Sequence, residues 1–266
     1  MHLDPDAGAA SARLVSYDTL GSTNAEALAR ARAGEHGPMW VMAARQTAGR
    51  GRRGNTWSSE PGNLYASLLL TENLPAAQLP ELCFVVALAV LDAVAECAPH
   101  LASRIKLKWP NDLLLDGAKF VGILIEGETV RDRSIVVAGI GVNCAHHPAD
   151  IGYPVTDLAA NGAVVTPAEL MRCLSRTMRA RLAQWDLGLG FAAIRAEWLI
   201  HAAGIGGNIR VRLADRELHG RFESLDRIGR LMLRMPGGNL EAITVGEVFA
   251  PIPPGAAVAV PIQGEP

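Results

Sequence analysis

The chain holds only four cysteines, Cys83, Cys97, Cys144 and Cys173, and none stands in C-x-x-C spacing with another. Most lie in apolar stretches, which argues against a structural zinc site and for reduced thiols in a cytoplasmic setting. Net charge is equally scarce. A formal charge of -2 provides no global field to attract nucleic acid or an anionic membrane, so neither is expected as a partner. The most apolar stretch, Leu82 to Leu91, is too short to span a bilayer and runs into Asp92 and Glu96; it reads as a buried helix. No basic-then-apolar signal opens the chain. Met1 to Ala12 carries Asp4 and Asp6, and residues 1–13 are expected to form a disordered tail. Internal repeats and long low-complexity tracts are also missing, and the Pro/Gly/Ala-rich stretch after Pro251 is expected to be only loosely packed.

What is present is material for a large core. At 266 residues and 49% hydrophobic content, the length suits one large domain and one small one. Within it, Gly49 to Gly54 reads Gly-Arg-Gly-Arg-Arg-Gly, a formal G-x-G-x-x-G with arginine at every variable position. A dinucleotide-binding turn needs a helix after the glycines, whose N-terminus meets the pyrophosphate. Here a turn-rich run, Asn55 to Asn63, leads instead to a strand-like Leu64 to Leu70. The Rossmann reading therefore fails. Guanidiniums bind carboxylate and phosphate oxygens bidentately, while glycines supply mobility and close approach. A solvated basic turn and a local nucleic-acid patch fit the same residues.

The periodicity predicts a helix from Thr23 to Ala33, with Thr23 and Glu26 as a capping box, and a second from Leu79 to Cys97. Apolar strands are expected at Trp40 to Ala44, Ile105 to Lys108, Lys119 to Glu126 and Ile135 to Val142. Thr166 and Glu169, with Pro167 at the first helical position, predict a capped helix to about Trp185; another runs from Phe191 to Ala203 and ends at Gly204. Beyond 204 the texture changes to period two, at Ile209, Val211 and Leu213 and again at Leu231, Leu233 and Met235. With turn signals at Asp215, Asp226 to Gly229 and Pro236 to Asn239, this predicts a small antiparallel barrel over 204–266, after a larger domain over 14–203.

Polar groups recur beside the apolar strands, in Lys108-Trp109-Pro110-Asn111-Asp112, in Lys119 with Gly122 and Glu126, and in Gly139-Ile140-Gly141-Val142-Asn143. Two ammoniums, a carboxylate and two amides near an arginine loop suit phosphoryl or nucleotidyl chemistry, where positioning and charge neutralisation dominate. His146-His147 lacks a third ligand in pattern and reads as a surface loop. Glu126 and Glu128 share one side of a strand, which is weak evidence for acid/base work.

Taken together and in order, Ser22-Thr23-Asn24, Gln46 to Gly54, Lys108 to Asp112, Lys119 to Glu126 and Gly139 to Asn143 resemble the motifs of biotin protein ligases. The resemblance covers about Leu14 to Asn143, and the C-terminal segment continues it in kind. It implies an α/β (α+β) fold, with a class II synthetase-like mixed-sheet catalytic domain followed by an SH3-like β-barrel. It also implies the ligase-only form, because too few residues precede the first strand for the helix-turn-helix of some members.

The implied reaction has two steps. Biotin and MgATP give biotinyl-5′-AMP and pyrophosphate, and a lysine of the biotin carboxyl carrier protein then attacks the acyl-adenylate. By the same resemblance Ser22, Thr23, Asn24 and Gln46 bind the ureido head of biotin, with Gly122 beside it, and Gly49, Arg50, Gly51 and Arg52 its carboxylate end. Lys119 reaches carboxylate and α-phosphate and is the first catalytic candidate. Arg52 joins it, held by Asp112, which alternatively contacts Mg2+. Arg50, Arg53, Trp57, Lys108, Asn111, Gly141 and Asn143 serve ATP, Trp57 by stacking on adenine and Gly139 and Gly141 by close backbone approach.

The bland readings of these residues are helix capping for Ser22 and Thr23, an edge charge for Lys119, a hairpin turn for Asp112 and a core anchor for Trp57. Family members often carry an Arg shortly after a Gly-Glu near the end of the barrel. Here Val248-Phe249-Ala250-Pro251 follows Gly246-Glu247, leaving Glu247 as the barrel's candidate contact with ATP. The competing functions are a lipoate-type protein ligase and a non-catalytic biotin or nucleotide sensor. A homodimer is left open.

Overall fold

The computed structural model describes residues 3, 12–71, 75, 78–130, 133–149 and 151–249. The expected N-terminal tail, apart from residues 3 and 12–13, and the stretch after Pro251 lie outside them. Seven strands form one mixed sheet in the order β1-β2-β3-β7-β6-β5-β4. They are β1 (Arg13–Leu20), β2 (Met39–Gln46), β3 (Leu64–Leu70), β4 (Ile105–Lys108), β5 (Asp112–Leu115), β6 (Ala118–Val130) and β7 (Arg133–Val142). Only the β1–β2 pair is parallel, joined by the crossover helix α1 (Thr23–Arg32); the remaining pairs are antiparallel.

Strands at the middle of the sheet are apolar on both faces because both are covered. Met39 and Val41 point with Leu69 and Val137 into a small core under α1, built on Ala27, Leu28 and Ala31. Their neighbours Trp40 and Met42 point the other way, with Leu68 and Leu70, into the main core. The period-two alternation of a strand thus divides β2 between two layers.

On the main-core side lie α2 (Glu81–Cys97), α3 (Pro167–Trp185) and α4 (Phe191–Ile200). Helix α2 is almost wholly apolar because the sheet covers one side and α3 and α4 the other. Its few polar contacts are specific. Trp185 Nε1 donates to Glu81 Oε2 at 2.6 Å, the Thr177 hydroxyl donates to the Ala89 carbonyl at 2.8 Å, and Arg181 bridges Asp92 and Glu197. Burial raises the Glu81 carboxyl, against the lowering effect of the Trp185 bond.

The C-terminal strands β8 (Asn208–Arg212), β9 (Glu217–Leu225), β10 (Leu231–Arg234), β11 (Leu240–Ile243) and β12 (Glu247–Phe249) make a second sheet in the order β11-β10-β9-β8-β12. It is antiparallel, with turns where Asp215, Asp226 and Pro236 announce them, and among the described residues β11 and β12 remain its two edges. The sheet is fastened to the first domain by Trp109 Nε1, which donates to the Gly229 carbonyl at 3.0 Å. Gly229 has φ +83, and a Cβ there would stand 2.7 Å from the Phe84 ring. Both the left-handed backbone and the close aromatic approach require glycine.

Three local expectations shift. The N-cap of α1 is Ser22, not Thr23, and its hydroxyl accepts from Ala25 N; Thr23 is inside the helix, its hydroxyl committed elsewhere. The capping box at Thr166 and Glu169 is present. Helix α4 stops at Ile200, where the His201 backbone N–H donates to the Leu199 and Trp198 carbonyls, short of Gly204. Strand β5 follows directly on the Asn111-Asp112 turn, and its pairing with both β4 and β6 makes a three-stranded meander.

Candidate active site

One cleft crosses the face of β6 and β7 beneath the arginine loop. At one end lies a buried polar cluster. Thr23 N and its hydroxyl donate to Gln46 Oε1 at 2.8 and 3.1 Å, and Gln46 Nε2 donates to Ser59 Oγ at 2.9 Å. The single proton of the Ser67 hydroxyl is shared between Asn24 Oδ1 at 2.5 Å and Thr23 Oγ1 at 2.7 Å. Asn24 Nδ2 donates to Glu126 Oε2 at 2.7 Å. Ser22, Thr23 and Asn24 are each less than a tenth exposed, and Ser67 not at all. Their position follows from the fold: α1 begins where β1 ends, which drives its first turn into the face of β3 and β7. A Cβ on Gly139 would lie 2.2 Å from Asn24 Oδ1, so that glycine makes room for the asparagine.

At the other end the cations gather. Arg50, Arg52, Arg53, Lys108 and Lys119 all line the cleft. The loop closes as a tight hairpin: Trp57 N donates to Gly49 O at 3.0 Å, Gly51 N to Asn55 O at 2.7 Å, and Arg50 bridges to Thr56. A Cβ on Gly49 would meet Trp57 O at 2.3 Å. Arg53 has φ 55 and ψ 32, a left-handed conformation that costs about 1 kcal/mol for a non-glycine residue. Arg50 Nη2 donates to Glu126 Oε2 at 2.8 Å, and Arg52 Nη1 to Asn111 Oδ1 at 3.0 Å.

The last contact corrects one expectation. Arg52 is held by Asn111, and Asp112 serves the lysines instead: its Oδ1 stands 2.7 Å from Lys119 Nζ and its Oδ2 3.9 Å from Lys108 Nζ. The reason is register. Asn111 sits at the tip of the β4–β5 hairpin toward the loop, anchored by its own Nδ2 donating to Ile123 O at 2.6 Å, whereas Asp112 pairs directly across that hairpin with Lys108. Burial lowers the Lys108 ammonium, with help from nearby Lys119 and opposition from Asp112 and Glu247.

Trp57 lies deep in the cleft. Cβ atoms on Gly122 and Gly141 would each meet its indole at 2.6 Å, Lys119 Nζ is 5.4 Å from its ring, and its Nε1 is buried without a partner. Beyond it a second groove, lined by Asn143, Ile151, Tyr153 and Lys119, opens on the far side. Asn143 therefore sits apart from the main cleft, its Nδ2 donating to Thr156 O at 3.0 Å. The second sheet contributes Gly246 and Glu247 to the cleft. Next to them Phe249 is faced by Lys108, Arg210 and Arg212 at 5.2, 4.9 and 4.8 Å from its ring centroid.

Sequence reasoning missed Ser67, although a lone serine in the run Leu64 to Leu70 marks it, and it set aside Glu126, the carboxylate that joins the two ends. His146 and His147 form no metal pair: His146 bonds to Asn63 and Pro61, and His147 Nδ1 lies 2.5 Å from Asp157 Oδ2. Among the described residues no three His, Cys, Asp or Glu side chains stand together to hold a metal, and no helix is long and apolar enough to cross a membrane.

Comparison with known proteins agrees with this geometry. Residues 21–143 match the biotin/lipoate A/B protein ligase family, and residues 204–250 the biotin protein ligase C terminal domain. The chain is 42% identical over 237 residues to the biotin--[acetyl-CoA-carboxylase] ligase of Paracoccus denitrificans, covering 86% of this chain and 96% of that one. It is 33% identical over 232 residues to the bifunctional ligase/repressor BirA of Bacillus subtilis, covering 85% and 70%. The biotin protein ligase of Aquifex aeolicus, solved in complex with biotin and ATP, superimposes with a TM-score of 0.73 at 26% identity, over 89% of this chain and 97% of that one. By motifs, fold and overall likeness, the chain belongs to the biotin protein ligase family.

Proposed function

We propose that this protein is an ATP-dependent ligase that activates biotin as biotinyl-5′-AMP and transfers it to a lysine of a biotin carboxyl carrier protein. The observation that carries this reading is one cleft with a buried amide-and-hydroxyl cluster at one end and five cationic side chains at the other. A urea carries one carbonyl acceptor and two N–H donors, and burying it requires matched partners. Ser22, Thr23, Asn24 and Gln46 supply both kinds, with Ser67 behind them. The dithiolane of lipoate has no such groups and could not exchange hydrogen bonds with the cluster, and a site built to bond a substrate's polar groups discriminates most strongly against an analogue lacking them. That separates the ligase from its lipoate-type counterpart, and the lysines and arginines separate it from a mere sensor.

In the first step a biotin carboxylate oxygen attacks the α-phosphorus of ATP, a P–O bond to pyrophosphate breaks, and a mixed anhydride forms. Two anions must approach, so Lys119, at the junction of the two grooves, neutralises carboxylate and α-phosphate together. Arg50 and Arg52 bind non-bridging oxygens bidentately, Arg53 and Lys108 bind the departing pyrophosphate, and Asp112 holds both lysines in place. Adenine lies in the second groove with Trp57 on one side and Asn143 near its edge.

Magnesium accompanies ATP and offsets phosphate charge. Asp112, whose Oδ1 is buried beside Lys119 Nζ and otherwise unpartnered, would be the side chain that contacts it. In the second step the carrier's neutral lysine amine attacks the acyl carbon and AMP leaves. The closed loop keeps water from doing the same.

The same reading divides the chain into a catalytic domain over 14–203 and a C-terminal domain over 204–266, in the cytoplasm, where ATP and reduced thiols coincide. Pyrophosphate exchange into ATP tests it: exchange is expected with biotin and not with lipoate, and exchange with lipoate alone would overturn the assignment.

A further inference from the structure

Away from the cleft, two thiols meet. Cys97 closes α2 and Cys173 lies in the second turn of α3, and their sulfurs are 3.4 Å apart. The approach is fixed by a ladder of contacts along antiparallel helices: Glu81 with Trp185, Ala89 with Thr177, Asp92 with Arg181, and Glu96 with Arg176. Both cysteines are partly exposed, whereas Cys144 is buried. Neither lines the cleft. A disulfide of about 2.05 Å needs the sulfurs to close by little more than 1 Å, within reach of side-chain rotation. The chain enclosed between them, 98–172, carries β4 to β7 and with them Lys108, Asn111, Asp112 and Lys119.

We propose that Cys97 and Cys173 are a modification site, a dithiol that small disulfides such as oxidised glutathione convert reversibly to an intramolecular disulfide. One protein thiolate attacks the small disulfide, forming a mixed disulfide and releasing one small thiol. The second protein thiolate attacks the protein sulfur of that mixed disulfide, forming the Cys97–Cys173 bond and releasing the second small thiol. Two electrons and two protons pass from the protein to the oxidant, so the exchange balances. Burial, and then the Cys173 contact, push the Cys97 thiol up to about 12. Little of it is thiolate at neutral pH, and the reaction quickens as pH rises. The product ties the strands that bear the lysines into one closed loop, a staple that acts chiefly on the unfolded chain.

The test uses the full-length, fully reduced protein incubated folded with oxidised glutathione at pH 8.5. Free thiols, counted after denaturation, are expected to fall from the four of the sequence to two. Peptide mapping should recover Cys97 joined to Cys173, and Tm should rise by at least about 5 °C. Cys97→Ser and Cys173→Ser should each trap one glutathione on the remaining partner and show no such rise. Four thiols remaining in the folded wild type, or a bridge linking other cysteines or two chains, would overturn the proposal.

Discussion

The two ends of the cleft are built on opposite plans. At the polar end the groups are buried, Gln46 only in part, and bonded to their neighbours before any ligand arrives: Thr23 to Gln46, Gln46 to Ser59, Ser67 to Asn24 and Thr23. At the cationic end Arg50 keeps 44% of its side chain exposed and is held by a single carboxylate, and Arg53 sits in a left-handed conformation. The first end is rigid because a buried polar network tolerates no loose member. The second stays movable because exposed ion pairs are weak and easily exchanged for a substrate anion. Recognition of a neutral ring gains from preorganisation, whereas adenylation requires groups that close over charge as it forms.

Substitutions should divide along the same line. The largest effect is expected at Lys119: Lys119→Ala should lower biotin-dependent pyrophosphate exchange by about 100-fold or more, the scale of losing a group that meets developing charge. Second is the rigid end. Ser67→Ala leaves Asn24 Oδ1 without its donor on a residue only 4% exposed, and should raise KM for biotin by about 10-fold with kcat nearly unchanged, since an orphaned buried acceptor costs about 1–3 kcal/mol.

Third come the tethers of the loop. Arg52→Gly and Asn111→Ala should each speed escape of biotinyl-AMP about 10-fold, measured as adenylate in a rapid filtrate, while Asp112→Asn should leave escape unchanged and depress exchange. If Asp112→Asn leaked as Arg52→Gly does, Asn111 would not be the tether. Smallest is the outer latch: Glu126→Gln should quicken trypsin cleavage after Arg50 or Arg53 in the ligand-free protein by about 3-fold, the range for an exposed ion pair. No change in cleavage would remove Glu126 from the account.

Much of this was legible in the sequence, and for identifiable reasons. Helices α2 and α3 and strands β3, β4 and β7 fell where apolar period and caps placed them, because burial and backbone satisfaction are local demands. Strand β5 was invisible, since four residues beginning at a turn carry no period of their own. Asn111 and Asp112 exchanged roles for a related reason: adjacent residues on a hairpin point apart, and only register tells which meets the loop and which the lysines. Ser67 and Glu126 act through contacts 43 and 76 residues away, beyond any local pattern. The deep seat of Trp57 over Gly122 and Gly141 likewise depends on how the loop folds back across the sheet.

The division of labour is tested most directly by measuring biotin binding and biotin-dependent pyrophosphate exchange side by side on Lys119→Ala. Biotin Kd is expected to stay within about 10-fold of wild type, because the buried ring contacts remain, while exchange falls by about 100-fold or more. Parallel loss of both, or exchange surviving intact, would contradict that division.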